Sequence, residues 1–176
     1  MARRHHGRGH AGDLTAVLKP RRHWTDYRGL SGDAPTRQLV VFNLGEEEYA
    51  LPIADVHEII RYTEPRSVAS SVGWIRGVIS LRGKIVPVYD LAARLGESRD
   101  PERPPQKIVI VETADRMAGV IVDDVAEVLT IDCDSVEPVP SAAEASIDAI
   151  ARIEDRLIVL LSPVALFGGP AEVAAA

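Results

Sequence analysis

From Gln38 onward the chain is a succession of short apolar runs broken by one to three polar or glycine positions. Some runs alternate apolar and polar residues with period two and others are apolar throughout; none shows the 3.6-residue spacing of an amphipathic helix. Rich in Val, Ile and Leu and bounded by Gly, Asp and Glu, they predict strands. Gln38–Leu44 and Tyr49–Ile53 flank Gly45-Glu46-Glu47 as a hairpin, and Ile108–Glu112 and Met117–Val122 flank Ala114-Asp115-Arg116 as another. Trp74–Leu81 and Lys84–Tyr89 flank Arg82-Gly83, while Ile147–Ile153 and Leu157–Leu161 flank Glu154-Asp155-Arg156. Pro87 has no N–H to give to a ladder, so its strand is expected to have an edge or a bulge at that point. Helical patterning is confined to Asp90–Leu95 and Pro163–Phe167.

These elements come in two sets. A shift of 69 positions lays residues 39–60 on residues 108–129 without a gap, matching Leu39 with Ile108, Phe42 with Val111, Leu51 with Val120, Asp55 with Asp124, Val56 with Val125 and Glu58 with Glu127. A second offset, 72, pairs Ile75 with Ile147, Val78 with Ile150, Leu81 with Ile153, Ile85 with Leu157 and Val88 with Leu160. A unit of about 70 residues is therefore used twice, joined by the polar, Pro-rich Gly96–Gln106. Each unit offers about five strands, which predicts two small, mostly antiparallel barrels or half-barrels. A core of that size is marginal alone, so the two are expected to share an apolar interface.

Composition fits a globular body with an aliphatic core: 46% of residues are hydrophobic and only 5% aromatic. The single thiol, Cys133, has no internal disulfide partner and suits a reducing compartment. The net charge of −6 hides a split, because residues 1–38 carry eight Lys/Arg against three Asp/Glu, while residues 39–176 carry twelve against twenty-three. A basic arm of +5 thus precedes an acidic body of −11. Residues 1–37, rich in Arg, His and Gly and without a sustained apolar period, are expected to be a solvated arm, and residues 169–176 a short tail. Ala11–Leu18 is broken by Gly12, Asp13 and Thr15, so no secretory h-region is expected. The uncharged stretch Leu157–Ala171 contains Pro163 and falls short of the roughly 18 residues a membrane helix needs. A soluble, cytoplasmic protein follows.

No catalytic, cofactor or metal motif emerges. His57-Glu58-Ile59-Ile60-Arg61 begins like a zinc-protease helix but places Arg61 where the second His belongs. Asp132-Cys133-Asp134-Ser135 lacks the Gly and the terminal Glu of a calcium loop, and neither a dinucleotide nor a Walker signature is present. Outside the arm His57 is the only histidine, which leaves a hydrolase triad one imidazole and favours a rim residue. In the arm, His5, His6 and His10 offer adventitious metal chelation, and the arginines offer polyanion contact, with only Trp24 and Tyr27 interleaved for stacking. The plainer reading of the arm is a tail that aids solubility or meets an acidic protein surface.

A duplicated β body without catalytic groups reads as a binding module. Its segments Leu39–Tyr49 (LVVFNLGEEEY), Val56–Ile60 (VHEII) and Ile75–Leu91 (IRGVISLRGKIVPVYDL) resemble CheW, the chemotaxis coupling family, from about Gln38 to Phe167. The resemblance implies an all-β fold of two SH3-like, five-stranded barrels with short helices, subdomain 1 at about 38–96 and subdomain 2 at about 107–168 within a domain of 38–168. It further implies a non-enzymatic adaptor, without cofactor, that links the cytoplasmic tip of methyl-accepting chemoreceptors to the regulatory domain of a CheA-type histidine kinase, with no membrane insertion and no specific nucleic acid. Carried over by position, the receptor groove includes Glu58 and Arg82, with Val56 and Gly77 at or near it; the second unit supplies the main kinase face. Ser80 stands where the family often has Asn, and the basic arm has no counterpart in the pattern. From the residues themselves, Arg82 beside Gly83 is expected at a hairpin tip with its guanidinium available for bidentate contact, and Gly77 is expected to relieve crowding in a bent strand. Two alternatives remain open: the same scaffold in a non-chemotaxis receptor–kinase array, and a polyanion-binding arm on a β scaffold.

Overall fold

The computed structural model describes residues 36–70, 72–114, 116–139 and 146–167. The arm up to residue 35, with His5, His6, His10, Trp24 and Tyr27, and the tail 169–176 lie outside the described residues. The chain forms β1 (Thr36–Leu44), β2 (Glu47–Pro52), β3 (Val56–Arg61), β4 (Ile75–Leu81), β5 (Lys84–Asp90), α1 (Leu91–Arg94), β6 (Lys107–Glu112), β7 (Met117–Val122), β8 (Asp124–Asp132), β9 (Val136–Pro138), β10 (Ile147–Ile153), β11 (Arg156–Leu161) and α2 (Pro163–Phe167). All four predicted hairpins form. The four-hairpin pattern left out β3, β8 and β9: β3 and β8 alternate exposed and half-buried positions, and β8 carries three acidic residues, which dilutes the apolar signal.

Strand order shows how the two units combine. One sheet runs β8-β1-β2-β11-β10-β9 and the other β3-β6-β7-β5-β4. Each therefore holds the first hairpin of one repeat between strands of the other repeat. β1 pairs with β8, and β2 runs parallel to β11; β6 pairs with β3, and β7 runs parallel to β5. The sheets thus cross the sequence division at Gly96–Gln106 instead of following it. Registers repeat with the same offsets: Leu39 faces Leu129 as Ile108 faces Ile60, and Leu160 faces Ala50 as Val88 faces Gly119.

Both sheets close on themselves. Leu39, Val41, Ala50, Ile131, Val136, Ala149, Ala151, Ile158 and Leu160 form one core that touches every strand of the six-stranded sheet, both edges included. Ile79, Val86, Val88, Ile108, Ile110 and Ile121, with Ile60 against them, do the same in the five-stranded sheet. The opposite faces of the exchanged hairpins meet in a third core, where Phe42, Tyr49 and Leu51 pack with Val109, Val111, Val120 and Val122. Alternate residues of β1 and of β6 thus belong to different cores, and both faces are dry. A strand buried on both faces has no solvent side to alternate with, which explains the uninterrupted runs Leu39–Phe42 and Ile108–Val111.

β-bulges direct the remaining strands between cores. The ladder of β3 slips between Val56 and Glu58, and that of β8 slips at the equivalent place opposite Val41 and Phe42. In consequence Val56 packs on the shared core while Ile60, an even number of residues on, packs inside its own barrel. β4 and β10 slip likewise after Ile75 and Ile147, both of which pack on the shared core. Pro87 lies in an inner strand, yet β5 meets β7 only from Val88 onward, so the expected edge exists locally. Its partner Val78 turns its N–H and C=O away, to Arg66 at 2.9 and 2.8 Å, so no ladder bond is asked of Pro87.

The join between the units is pinned by one cation. Arg99 donates through Nη2 to Asp90 Oδ1 at 3.1 Å and through Nη1 to Asp123 Oδ1 at 3.2 Å. Asp90 also caps α1 at the Ala93 N–H, and Asp123 accepts the Gly45 N–H at 2.6 Å. Among the described residues, no helix is long and apolar enough to cross a membrane. Because each barrel borrows a hairpin, a fragment of residues 36–96 is expected to be unfolded by circular dichroism, and its independent folding would refute the exchange. Phe42→Ala in the shared core is expected to cost about 3–5 kcal/mol in denaturant titration, in one transition rather than two.

Candidate functional site

The β4–β5 turn is two residues long, and both adopt left-handed backbone: Arg82 has φ 49° and Gly83 has φ 80°. Mirror-image turns of this kind match the twist of the flanking strands. Gly83 adopts the conformation without strain, whereas Arg82 carries a Cβ there at a cost of order 1–2 kcal/mol. The turn holds Arg82 over the mouth of the five-stranded barrel, where Nη2 donates to Glu58 Oε2 at 3.0 Å. Glu58 occupies the mouth because the bulge at His57 turns this part of β3 from the shared core toward the barrel. Its side chain is 22% exposed and that of Arg82 72%.

The pair sits in a short chain of charges. His57, half-exposed on the bulge, donates through Nδ1 to Glu112 Oε2 at 3.1 Å, and its Nε2 lies 3.8 Å from Glu58 Oε1. That carboxylate oxygen is buried and accepts no hydrogen bond among the described residues. Val56 lies just before the bulge, half-buried and packed on the shared core. A polar hollow of about 480 Å³ opens beside it, walled by Asp55, His57, Glu112 and Thr113. On the other side of β4 a groove of about 360 Å³ runs between Thr63–Arg66 and Val78, Ser80 and Ile85.

Of the four residues expected at the site, the structure brings Glu58 and Arg82 into contact and sets Val56 next to Glu58 along β3. Gly77 has a different part. At φ 147° in β4, it leaves room for the Arg66 backbone, whose carbonyl oxygen lies 2.1 Å from where a Cβ would stand. It shapes the groove and is buried, in line with the crowding expected of a bent strand.

The duplication supplies an internal control that sequence reading missed. Glu127, the counterpart of Glu58, is also held by an arginine from the facing hairpin, Arg156. That arginine is the more heavily engaged of the two: Nη2 reaches Glu127 Oε1 and Glu48 Oε1, each at 2.6 Å, and Nε reaches Glu48 Oε2 at 3.0 Å. Hydrogen bonding from Arg156 holds the Glu48 carboxyl below its usual value of 4.5, and the two carboxylates raise the guanidinium. The offset of 69 already paired Glu58 with Glu127; Arg156 escaped notice because it stands two places beyond the counterpart of Arg82, which is Glu154. Among the described residues no cluster of three or more His, Cys, Asp or Glu is arranged to hold a metal ion.

Gly77→Ala is expected to lower stability by about 1–3 kcal/mol through this backbone collision, measured by denaturant unfolding. Glu48 has a depressed folded pKa, so its contribution is complete above 4.5 and is lost as pH falls through the folded value. Arg156→Met should therefore reduce the loss of thermal stability between neutral and acid pH; an unchanged acid limb would refute the assignment.

Comparison with known proteins gives a consistent result. A family model described as a CheW-like domain matches residues 38–170. The chain is 32% identical over 135 residues to "Probable chemotaxis protein CheW" of Rhizobium etli, covering 74% of this chain and 87% of that protein. It is 32% identical over 108 residues to "Protein PilI" of Pseudomonas aeruginosa, covering 56% of this chain and 59% of that one. The crystal structure of the scaffolding protein TtCheW from Thermoanaerobacter tengcongensis superposes with a TM-score of 0.70 at 38% identity, covering 77% of this chain and 94% of that chain.

Proposed function

The chain belongs to the CheW-like domain family, and from that premise we propose that it is a non-enzymatic adaptor coupling the cytoplasmic tip of transmembrane chemoreceptors to the regulatory domain of a CheA-type histidine kinase. It acts in the cytoplasm and is recruited to membrane-associated receptor arrays. The observation that carries the receptor side is the contrast between the two arginines. Arg156 makes three hydrogen bonds to two carboxylates and is 38% exposed, whereas Arg82 makes one and keeps 72% of its side chain in solvent. An exposed pair of this kind contributes only about 0.2–1 kcal/mol to folding, so stability does not require it. Glu58 instead aims the guanidinium, leaving its remaining donors for carboxylates or helix-end carbonyls of a partner. Val56 lends an apolar flank, and Gly77 lets the Arg66 backbone close against β4. A helical receptor tip fits such a surface, with apolar anchors and a polar rim.

A second reading keeps the adaptor role and changes the pathway: the similarity to Protein PilI, which does not carry a chemotaxis name, supports a receptor–kinase array outside chemotaxis. The two separate by which kinase the protein activates. In a reconstituted assay with receptor, kinase and this protein, kinase activity should require all three. Arg82→Glu should weaken receptor binding at least about tenfold, or about 1.4 kcal/mol, while kinase binding persists and unfolding free energy stays within about 1 kcal/mol. Unchanged receptor binding by this variant would overturn the site assignment.

A further inference from the structure

The two repeats are entered by different segments. Ahead of β6, the join 96–106 is fastened to the body: Arg99 lies between Asp90 and Asp123, and the Gln106 carbonyl accepts the Tyr62 N–H, just past the end of β3, at 2.9 Å. Ahead of β1 stands the basic arm, in which Lys19, Arg21 and Arg22 are followed by Trp24. By the offsets of 72 and 69, the counterparts of Asp90 and Asp123 on that side are Ser162 and Ala54, so the carboxylates that hold Arg99 have no equivalents there. Carboxylates stand instead at the end of β8. Thr36 pairs with Asp132, and Asp134 follows in the short turn Cys133–Ser135. Both are exposed and have no ion-pair partner among the described residues, whereas Glu137, three residues on, is matched by Arg152 at 3.4 Å. In the first repeat the same two positions are Thr63 and Pro65. The outer face of this strand pair is open: Thr36 and Gln38 of β1 stand beside Asp132 and Thr130 of β8, all exposed, and Val128, 55% exposed, continues the row.

We propose that the basic segment of the chain's own arm docks on this face within the same molecule: Lys19, Arg21 and Arg22 meet Asp132 and Asp134, and Trp24 covers Val128. Charge complementarity selects the occupant, since residues 1–38 carry +5 and the rest of the chain −11. The point of attachment selects it again, because the arm joins the body at Thr36, directly opposite Asp132. Twelve residues separate Trp24 from Thr36, a coil length that reaches about 19 Å. Val128 lies four residues along β8 from Asp132, or about 14 Å, within that reach. Tethering makes the contact intramolecular, so a few exposed ion pairs and one aromatic ring hold a segment that they would not hold as a separate molecule. The charges are solvent-exposed, so salt weakens the contact. Docked in this way, the arm spends its cations on its own body and withholds them from polyanions. It lies on the six-stranded barrel, whereas Glu58 and Arg82 stand on the five-stranded one.

Lys19 is the only lysine of the arm, which makes the contact readable by zero-length carbodiimide cross-linking of the full chain. Peptide mass spectrometry locates the links, and a mixture of isotope-labelled and unlabelled chains separates links within one copy from links between copies. Lys19 should couple predominantly to Asp132 and Asp134 within one copy, and high salt should lower the yield. Arg21→Ala with Arg22→Ala, and separately Val128→Ser, leave every coupling group in place and should each lower that yield about fivefold, the loss of about 1 kcal/mol of docking free energy. Trp24, read as the difference in acrylamide quenching between the wild type and Trp24→Phe, should become more accessible in the same two variants. Lys19 links spread over the body's other carboxylates, links formed mainly between copies, or a yield that neither variant changes would overturn the proposal. Unchanged thermal melts of the variants would confirm that only the arm contact was altered.

Discussion

Every other feature of this fold depends on two hairpins, β1–β2 and β6–β7, that are dry on both faces and hydrogen-bonded on both edges to strands of the other repeat. Each buried Val, Leu, Ile or Phe contributes roughly 1.5–3 kcal/mol, and here adjacent residues of one strand serve different cores. Packing is correspondingly tight inside the five-stranded barrel: a Cβ on Gly119 of β7 would stand 2.8 Å from Ile108 Cγ2 of β6 and 3.5 Å from Val88 Cγ2 of β5, and the equivalent residue in β2 is the small Ala50. A repeat that gives away its first hairpin cannot close its own barrel, so the two barrels are thermodynamically one unit.

Bulges are what make the exchange geometrically possible. A strand leaving the shared interface must turn its inward-facing residues from the common core to its own barrel, and with a side-chain period of two this takes a one-residue slip. The slips fall at equivalent points in both repeats. At one of them the slip also brings Glu58 under the β4–β5 turn, so the geometry that builds the interface builds the candidate site as well.

Duplication followed by divergence then separates structure from recognition. Both barrel mouths keep an acid on the strand after the bulge and an arginine from the facing hairpin. In one, Glu48 closes the pair into a three-residue network; in the other, the arginine stays open to solvent. A fold with two equivalent ends can fill them with different chemistry at little cost, because turn residues at a barrel mouth contribute little to either core.

Much of this was legible along the chain. The eight strands of the four hairpins, both short helices, the repeat offsets and the exposed Arg82 follow from local patterning, since period, turn chemistry and charge act over a few residues. The hairpin pattern left out β3, β8 and β9, because the first two alternate exposed with half-buried positions and carry charge, and the third is three residues long. The partner of Arg82 was not legible either: Glu58 lies 24 positions away and meets it only because the five-stranded sheet closes. The apolar runs determined that some strands would be buried on both faces. Which unit would bury them was decided by tertiary structure alone, because sequence periodicity records how many faces of a strand are dry and not which neighbour dries them.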